Sequence, residues 1–337
     1  MIFPEFLKKG DVVGITAPSD GNDKETDFVR LDNGIRQLGE KGYKVIETKH
    51  VRTSDKGRST DAKTRASEFI ELITNDKVKA IFSASGGDYL LEILPYLDFD
   101  IIKQNPKWFQ GYSDNTGLVH TITTLCDIAT IYCNNFNDFG MAVWHKSVEN
   151  NLSILEGKHL IQESFDKYQD GFYDRVTGLE EYVLTKPVKW RSINTDQEVA
   201  LEGRTIGGCL DVLIALVGTR FDNTRSYIEK YKDDGIIWYL ESFNLPAPAL
   251  TLALLQLREA GWFKYTRGFV FGRPTFYDDS IDSTYEEVVM SVLGELNVPI
   301  ILEADIGHKP PQFTMINGGL ASLYCKDGRA SLTYKFS

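Results

Sequence analysis

Apolar positions in the first 135 residues fall into two patterns, short continuous runs and repeats at every third or fourth position. The continuous runs predict buried strands at 11–19, 44–48, 79–84 and 129–133. The helical spacing predicts helices at 24–41 and 61–76, with a shorter one around Leu90, Leu91 and Leu94. Strands that alternate with helices in this way form a parallel sheet with helices on both faces. We therefore expect an N-terminal α/β domain.

The pattern weakens in the middle of the chain and returns in the last third. Residues 171–200 are polar and aromatic and are interpreted as a surface loop. Beyond them, strands are predicted at 236–240, 268–272 and 299–302, helices at 248–260 and 285–293, and a closing hairpin at 321–334. We expect three parts, namely an N-terminal α/β domain at 1–165, a linker and loop at 166–200, and a C-terminal α/β domain of mixed or β-rich type at 201–337.

The stretch Trp108–Gly117 predicts a sharp corner between a buried strand and a helix. Gly111 permits the turn, Ser113 lies at its tip, and Asp114, Asn115 and Thr116 are residue types that cap helices. A serine at such a corner is held out from the sheet with backbone N–H groups nearby, which is the geometry of an activated nucleophile. The alternative is an ordinary serine at a helix start.

Two further loops follow predicted strand ends, Ala17-Pro18-Ser19 and Gly86-Gly87. The carboxyl ends of parallel strands share one edge of the sheet, where binding sites form. We therefore expect these loops and Ser113 on that edge. Glycines allow close approach of the backbone to a ligand, so Gly87 and Asp114 could supply the two N–H groups of an oxyanion hole. A tight turn is the competing interpretation of the two glycines.

The net charge of the chain is −11, which disfavours binding to nucleic acid and to anionic membranes. No apolar run is long enough for a membrane-spanning helix, and the first residues lack the pattern of a signal peptide. The four cysteines are scattered in apolar surroundings, which argues against a zinc site and a disulfide framework. They are best explained as reduced thiols of a cytoplasmic protein.

A serine nucleophile needs a base, usually a histidine that a carboxylate orients. Among five histidines, His308 is the best placed, because it follows a predicted buried strand and a glycine. His120 is the rival, but it lies two helical turns beyond Ser113. Glu241 ends the strongest strand of the second half and is the candidate orienting carboxylate, with an N-cap or ion-pair residue as the alternative. Asn115 stands where the α/β-hydrolase signature G-x-S-x-G requires glycine, so that fold is disfavoured.

These segments together resemble the LD-carboxypeptidase family of serine peptidases, which includes the microcin C7 self-immunity proteins. The resemblance rests on Gly86-Gly87, on the run from Leu94 to Lys107 and on Gly111-Tyr-Ser-Asp-Asn-Thr116. Further matches follow in the same order in Ala17-Pro18-Ser19, Gly207-Gly208, Leu240-Glu241 and Gly307-His308. One departure is Cys209, where many members have asparagine after the two glycines.

The resemblance implies a two-domain serine carboxypeptidase that needs no metal and no cofactor. By position, Ser113 would be the nucleophile, His308 the general base and acid, and Glu241 its orienting partner, with the Gly87 and Asp114 amides as oxyanion donors. It implies release of the terminal D-alanine from a murein tetrapeptide in the cytoplasm, by a protein that forms a homodimer. The partners would be a small peptide or peptidyl conjugate, with no nucleic acid and no membrane.

Candidate substrate-binding residues lie near the matched motifs: Ser19, Gly86, Trp190, Arg204, Arg273 and Lys309. The arginines and the lysine could receive a terminal carboxylate. Trp190 could stack on a nucleotide base, as an aromatic residue of this region does in the immunity branch, or it could anchor the loop or form a dimer contact. Two further functions stay open, an immunity-type amidase that cleaves peptidyl- or aminoacyl-nucleotides, and a non-catalytic sugar- or peptide-binding domain.

Overall fold

The computed structural model describes residues 1–195, 197–281 and 283–336. The chain divides into two compact units. The first contains 1–158, 173–182 and 314–316, and the second contains 159–172, 183–313 and 317–337. The three parts expected from the sequence, 1–165, 166–200 and 201–337, stay a prediction.

The first unit is built on a six-stranded sheet. In spatial order its strands are Met315–Asn317, Thr130–Tyr132, Trp108–Gly111, Val78–Ser83, Val12–Thr16 and Lys44–Glu47. The five strands before residue 133 pair in parallel. The α-helices are Glu25–Glu40, Ala62–Thr74, Phe99–Gln104, Thr116–Cys126 and Lys146–Leu155, and shorter 3₁₀ turns span Leu90–Tyr96, Ser113–Asn115 and Phe136–Gly140. This confirms the parallel α/β architecture expected from the sequence.

Strand order in this sheet contains a reversal that matters for binding. From Val12–Thr16 the chain moves to one side, to Lys44–Glu47, and then crosses back to Val78–Ser83 on the other side. In open α/β sheets, ligands bind at such a reversal, beyond the carboxyl ends of the two strands. The loops that begin at Ala17 and Ala84 leave the sheet at this point.

The second unit is built on a mixed eight-stranded sheet. In spatial order its strands are Gln162–Glu163, Arg329–Lys335, Leu320–Lys326, Val199–Cys209, Ile236–Glu241, Thr266–Gly272, Ile300–Ala304 and Arg191–Ser192. The four strands from Val199–Cys209 to Ile300–Ala304 run parallel, and the outer pairs are antiparallel. The α-helices are Leu210–Leu216, Thr224–Lys230, Ala247–Glu259 and Tyr285–Leu293, a 3₁₀ turn spans Gly294–Leu296, and Lys167–Tyr168 pairs with Lys186–Pro187 in a separate ribbon. The predicted mixed type and closing hairpin are confirmed.

The sequence explains why these segments fold locally as they do. Asp61 caps the helix Ala62–Thr74 by accepting a hydrogen bond from the Thr64 N–H at 3.0 Å. Thr284 and Glu287 form a reciprocal capping box at the start of Tyr285–Leu293. In the part of the chain that the structure describes, no helix has the length and apolar character needed to span a bilayer.

Candidate functional site

Ser113 lies between the strand Trp108–Gly111 and the helix Thr116–Cys126, with a φ of +64°. This left-handed conformation is rare for a residue with a side chain and is found at sites that a surrounding structure holds in place. The Tyr112 N–H donates to Asn135 Oδ1 at 3.1 Å, and the Ser113 N–H donates to the Tyr132 hydroxyl at 3.2 Å. The corner is therefore fixed from both sides by the neighbouring strand end.

Gly111 and Asn115 complete the corner. A Cβ atom on Gly111 would lie 2.8 Å from the Asn115 Cβ, so only glycine fits there. The Asn115 side-chain amide donates to the carbonyl oxygens of Ser85 and Tyr112, at 2.9 and 3.1 Å. Asparagine at 115 thus ties the serine corner to the neighbouring glycine loop, a task that the glycine of a G-x-S-x-G signature could not perform.

The glycine loop approaches Ser113 directly. A Cβ atom on Gly86 would lie 3.2 Å from the Ser113 Cβ and 3.3 Å from its Oγ. Gly87 has a φ of +150°, and a Cβ there would lie 2.3 Å from Ser19 Oγ. Gly87 therefore requires glycine, and at Gly86 a side chain would press on Ser113. The loop has the close approach that an oxyanion donor needs, and the assignment of the Gly87 and Asp114 N–H groups to that role stays a prediction.

Asp114 and Ser19 form a buried pair under this loop. The Ser19 hydroxyl donates to the Asp114 carboxylate, which also accepts the Leu90 N–H at 2.8 Å. Burial raises the pKa of the Asp114 carboxyl, and the hydrogen bonds from Ser19 and Leu90 counteract that shift. Ser19 is fully buried. The contacts that the structure gives it connect loops, and its predicted role in substrate binding remains untested.

In the second unit, Glu241 and His308 are brought together. Glu241 ends the strand Ile236–Glu241 and is fully buried, and His308 follows the strand Ile300–Ala304 with 8% of its surface exposed. His308 Nδ1 lies 3.0 Å from Glu241 Oε2. The Phe243 ring lies against the imidazole, with centroids 4.6 Å apart. With its proton on Nδ1, His308 would donate to Glu241 and keep Nε2 as an acceptor.

Gly307 makes this pairing possible. Its φ is +92°, and a Cβ atom there would lie 2.7 Å from Glu241 Cγ. Gly272 on the next strand is equally constrained, since its Cβ would lie 3.0 Å from Glu241 Cβ. The sequence motif Gly307-His308 therefore reflects a packing requirement of the carboxylate.

Cys209, the departure noted in the sequence, is the strand partner of Glu241. It is buried, and burial together with the negative charges of Glu241 and Asp211 holds the pKa of its thiol well above the ordinary value. The thiol lies 3.5 Å from Asp211 Oδ2. At neutral pH Cys209 is a protonated neighbour of the glutamate.

Three predicted binding residues of the second unit lie in ion pairs. Arg273 donates to Asp305 at 2.5 Å, and both side chains are almost fully buried. Lys309 pairs with Asp170 at 2.8 Å. Arg204 pairs with Asp234 at 2.5 Å. It lies opposite Ile236 in the strand pairing, whereas Cys209, five residues later, lies opposite Glu241. At about 3.3 Å per residue, Arg204 is roughly 17 Å along the strand from Cys209.

Trp190 belongs to the same buried network. It is 1% exposed, its indole N–H donates to Asp305 Oδ2 at 2.9 Å, and its ring packs on Phe313 with centroids 5.2 Å apart. These contacts match the loop-anchor alternative for this residue. A stacking role and the proposed cation roles are not tested by these contacts and stay predictions.

Sequence reasoning missed several polar residues around the serine corner. Asn135 Oδ1 accepts hydrogen bonds from the Tyr112 N–H and the Asn115 side-chain amide. The Tyr132 hydroxyl accepts one from the Ser113 N–H. Asn137 and Asn22 are hydrogen-bonded to each other nearby in the first unit, at 2.7 Å. The sequence contains a pattern that could have indicated these residues. The predicted strand 129–133 is followed directly by Asn134-Asn-Phe-Asn137, and the carboxyl ends of parallel strands are where sites form.

Comparisons with known proteins find relatives and solved structures that match nearly the whole chain. The chain is 26% identical to the microcin C7 self-immunity protein MccF of Escherichia coli, over 98% of this chain and 95% of the relative. It is 25% identical to the "Probable murein peptide carboxypeptidase" of Bacillus subtilis, over 95% and 91%. A solved structure of an MccF variant in complex with adenosine monophosphate has a TM-score of 0.80, 25% identity, and coverage of 100% and 99%.

Two family models match separate parts of the chain. The model of the LD-carboxypeptidase N-terminal domain matches residues 13–133, and that of the LD-carboxypeptidase C-terminal domain matches residues 202–323. Together they cover more than two thirds of the sequence. The first match includes the serine corner, and the second includes the Glu241–His308 pair. The chain therefore belongs to the LD-carboxypeptidase family of serine peptidases.

Proposed function

We propose that this protein is a metal-independent serine carboxypeptidase that hydrolyses the L–D amide bond of a murein tetrapeptide and releases the terminal D-alanine. The observation that carries the proposal is the left-handed backbone of Ser113, with Gly86 packed against its side chain. A strained serine at a strand–helix corner is the arrangement of a nucleophile elbow. Among the curated relatives is a murein peptide carboxypeptidase by name.

The acylation step follows from these roles. The Ser113 hydroxyl oxygen attacks the carbonyl carbon of the L residue while His308 takes the hydroxyl proton. The negative charge that develops on the carbonyl oxygen is stabilised by the Gly87 and Asp114 N–H groups. His308 then gives the proton to the amide nitrogen, the C–N bond breaks, and D-alanine leaves with its free amino group. The shortened peptide remains as an ester on Ser113.

Deacylation repeats these transfers with water. His308 removes a proton from the water molecule, whose oxygen attacks the ester carbonyl, and the same proton returns to Ser113 Oγ as the C–O bond breaks. Glu241 keeps the imidazole in the required tautomer and stabilises the imidazolium in both steps. Since Glu241 is fully buried, its charge needs this partner.

Release of D-alanine from a murein tetrapeptide tests the proposal, with wild type compared to Ser113→Ala. Removal of the nucleophile should lower the rate by about 10⁴- to 10⁶-fold. Ser153→Ala, which changes a serine on the helix Lys146–Leu155, is the matched control and should keep the wild-type rate. No release by the wild-type protein would exclude the cell-wall substrate.

A second candidate is an amidase that cleaves peptidyl- or aminoacyl-nucleotides. The similarity to MccF over 98% of the chain, and the adenosine monophosphate complex of that protein, favour it. The buried position of Trp190 does not add support, because its ring has no open face for a base in this structure. Hydrolysis of an aminoacyl sulfamoyl-adenosine by the wild-type protein, together with failure to release D-alanine, would select this candidate.

The family resemblance also supports a location in the cytoplasm and assembly as a homodimer, and we include both properties in the proposal. Light scattering coupled to gel filtration would test the assembly. A mass near twice that of the 38.1 kDa chain is expected, and a monomer at micromolar concentration would contradict it.

A further inference from the structure

A cleft of 460 Å³ lies in the first unit beside the serine corner. Its wall is formed by the loops 20–24, 85–87 and 135–138, with Tyr112 and Arg175. The first two loops leave the sheet at the reversal of strand order, where α/β sheets bind ligands. Gly86 is shared, since it lines the cleft and also packs against the Ser113 side chain. A ligand group in the cleft is therefore next to the proposed nucleophile.

The charge of this wall is negative. Asp20, Asp23, Asp27 and Asp138 line it, against the two cations Lys24 and Arg175, which leaves a net charge of −2. Asp27 and Arg175 pair with each other at 2.9 Å. The hydrogen bonds that the structure gives to Asp20 and Asp138 come from neutral donors, the Gly21 N–H, the Ser54 hydroxyl and the Asn134 amide. Neutral donors orient these carboxylates without cancelling their charge, and the buried Arg30 behind the wall is a cation that acts on Asp138 through space.

A buried amide pair in the same wall is incompletely satisfied. Asn137 Nδ2 donates to Asn22 Oδ1 at 2.7 Å, and the two side chains are 7% and 2% exposed. Asn137 Oδ1 and Asn22 Nδ2 have no hydrogen-bond partner in the structure. A buried polar atom without a partner is costly and uncommon, so these atoms point to a ligand that supplies N–H donors and one oxygen acceptor.

From this wall we propose that the cleft is a subsite for a primary ammonium group carried by the side chain of the substrate residue that donates the acyl group. The inference rests on the proposed function, in which that residue is the diamino acid of a murein peptide. The ammonium would donate to Asn137 Oδ1 and face Asp20 and Asp138. A carbonyl oxygen of the same peptide would accept from Asn22 Nδ2. The carboxylates also disfavour an acidic side chain at this position, because they would repel it.

Equilibrium binding tests the subsite without relying on turnover. Ser113→Ala protein is titrated calorimetrically with three tetrapeptides that differ only in the residue before the terminal D-alanine, which is lysine, diaminopimelate or norleucine. Charge-assisted hydrogen bonds should make the lysine peptide bind about 10-fold or more tightly than the norleucine peptide. The diaminopimelate peptide should bind less tightly than the lysine peptide, because its side-chain carboxylate faces the acidic wall. Equal affinities, or no binding of the lysine peptide, would overturn the subsite.

The acidic wall is tested by substitution. Combining Asp20→Asn with Asp138→Asn removes the two charges that would face the ammonium, with little change of shape, and should reduce the preference to less than about 3-fold. Asp76→Asn, an exposed aspartate of the same unit outside this cleft, is the control and should keep the preference. A full preference in the double variant would overturn the assignment to this cleft.

Release of D-alanine by the wild-type protein from the same peptides separates the two proposals. Release from all three at equal rates, with equal binding, would leave the peptidase and remove the subsite. Preferential binding of the lysine peptide without release would leave the subsite and remove the peptidase.

Discussion

His308 Nδ1 lies 3.0 Å from Glu241 Oε2, and the glutamate is fully buried at the end of a parallel strand. A buried carboxylate in contact with an imidazole fixes the ring orientation and the position of its proton. Gly307 and Gly272 leave room for this contact, because a side chain at either position would collide with Glu241. The second unit thus holds an imidazole whose ring a buried carboxylate orients.

Substitution of Glu241 by glutamine should abolish most of the proposed activity while preserving the packing. An amide can hold His308 in the wrong tautomer, and the corresponding change in a serine-protease triad lowers kcat by about 10⁴. We expect a fall of about 10³- to 10⁴-fold in kcat for D-alanine release. Glu259→Gln, on the helix Ala247–Glu259, is the control and should leave the rate unchanged. A rate within a factor of a few of wild type in Glu241→Gln would exclude the orienting role.

The fold and the contact between Glu241 and His308 could be predicted from the sequence, for identifiable physical reasons. Alternating strands and helices dictate a parallel sheet, and the sheet places its loops at one edge. Gly111 followed by capping residues dictated the corner at Ser113. A carboxylate directly after Ile236-Ile-Trp-Tyr-Leu240 had to find a partner, and the structure gives it His308.

Other features depend on contacts between distant residues, which pattern reasoning does not supply. Arg273 is one of the cations that the sequence offered for a substrate carboxylate, and in the folded chain it pairs in the core with Asp305, 32 positions later. Trp190 lies in the predicted surface loop but is buried, and its indole N–H donates to the same carboxylate. The Asn22–Asn137 pair joins positions 115 residues apart. No local period relates these residues, so only the folded chain reveals them.

The left-handed backbone of Ser113 predicts a conflict between stability and function. A non-glycine residue in this region is disfavoured by about 1–2 kcal/mol. The free energy of unfolding of Ser113→Gly should therefore be about 1 kcal/mol higher than that of Ser113→Ala. Neither variant has a nucleophile. Chemical denaturation would measure this difference.

The control for this comparison is the same pair of substitutions at Ser291, in the helix Tyr285–Leu293. There glycine should be the less stable variant by about 1 kcal/mol. If alanine were also the more stable residue at position 113, the strain assigned to the corner would be wrong.

The four thiols should be unreactive in the folded protein. All four are buried thiols, and burial raises the pKa of Cys126 and Cys133 to about 12 and that of Cys325 to about 11. The pKa of the Cys209 thiol is also raised. Since the thiolate is the reactive form, a disulfide reagent at pH 8 should label less than about one thiol per chain within minutes, and four after denaturation. Rapid labelling of the folded protein would contradict the buried placement.

Arg273 should prove to be a structural residue. Its guanidinium lies 2.5 Å from Asp305 and 4.2 Å above the Tyr168 ring, and removal of one partner of a buried ion pair typically destabilises a protein by 3–5 kcal/mol. Arg273→Met should lower the free energy of unfolding by about that amount. Arg267→Met, an exposed arginine of the same strand, should change it by less than about 0.5 kcal/mol.

The Michaelis constant distinguishes this structural role from substrate binding. If Arg273 received the substrate carboxylate, Arg273→Met would raise KM strongly in protein that is still folded. We expect an unchanged KM for the folded fraction, measured well below the unfolding temperature. A large increase in KM with unchanged stability would restore the binding role that the sequence predicted.

Glu156 should make the first unit sensitive to acid. Burial alone would raise the pKa of its carboxyl, but hydrogen bonds from Lys158, Tyr43 and Lys9 outweigh burial and lower the pKa to about 2. A carboxyl with a lowered pKa contributes stability above its ordinary pKa of 4.5, and this contribution is lost as the pH falls from that value through about 2. The difference in unfolding free energy between wild type and Glu156→Gln should therefore be full at pH 6 and smaller at pH 3. A difference that is equal at both pH values would mean that the charge of Glu156 does not stabilise the fold, and that its contacts act only as neutral hydrogen bonds.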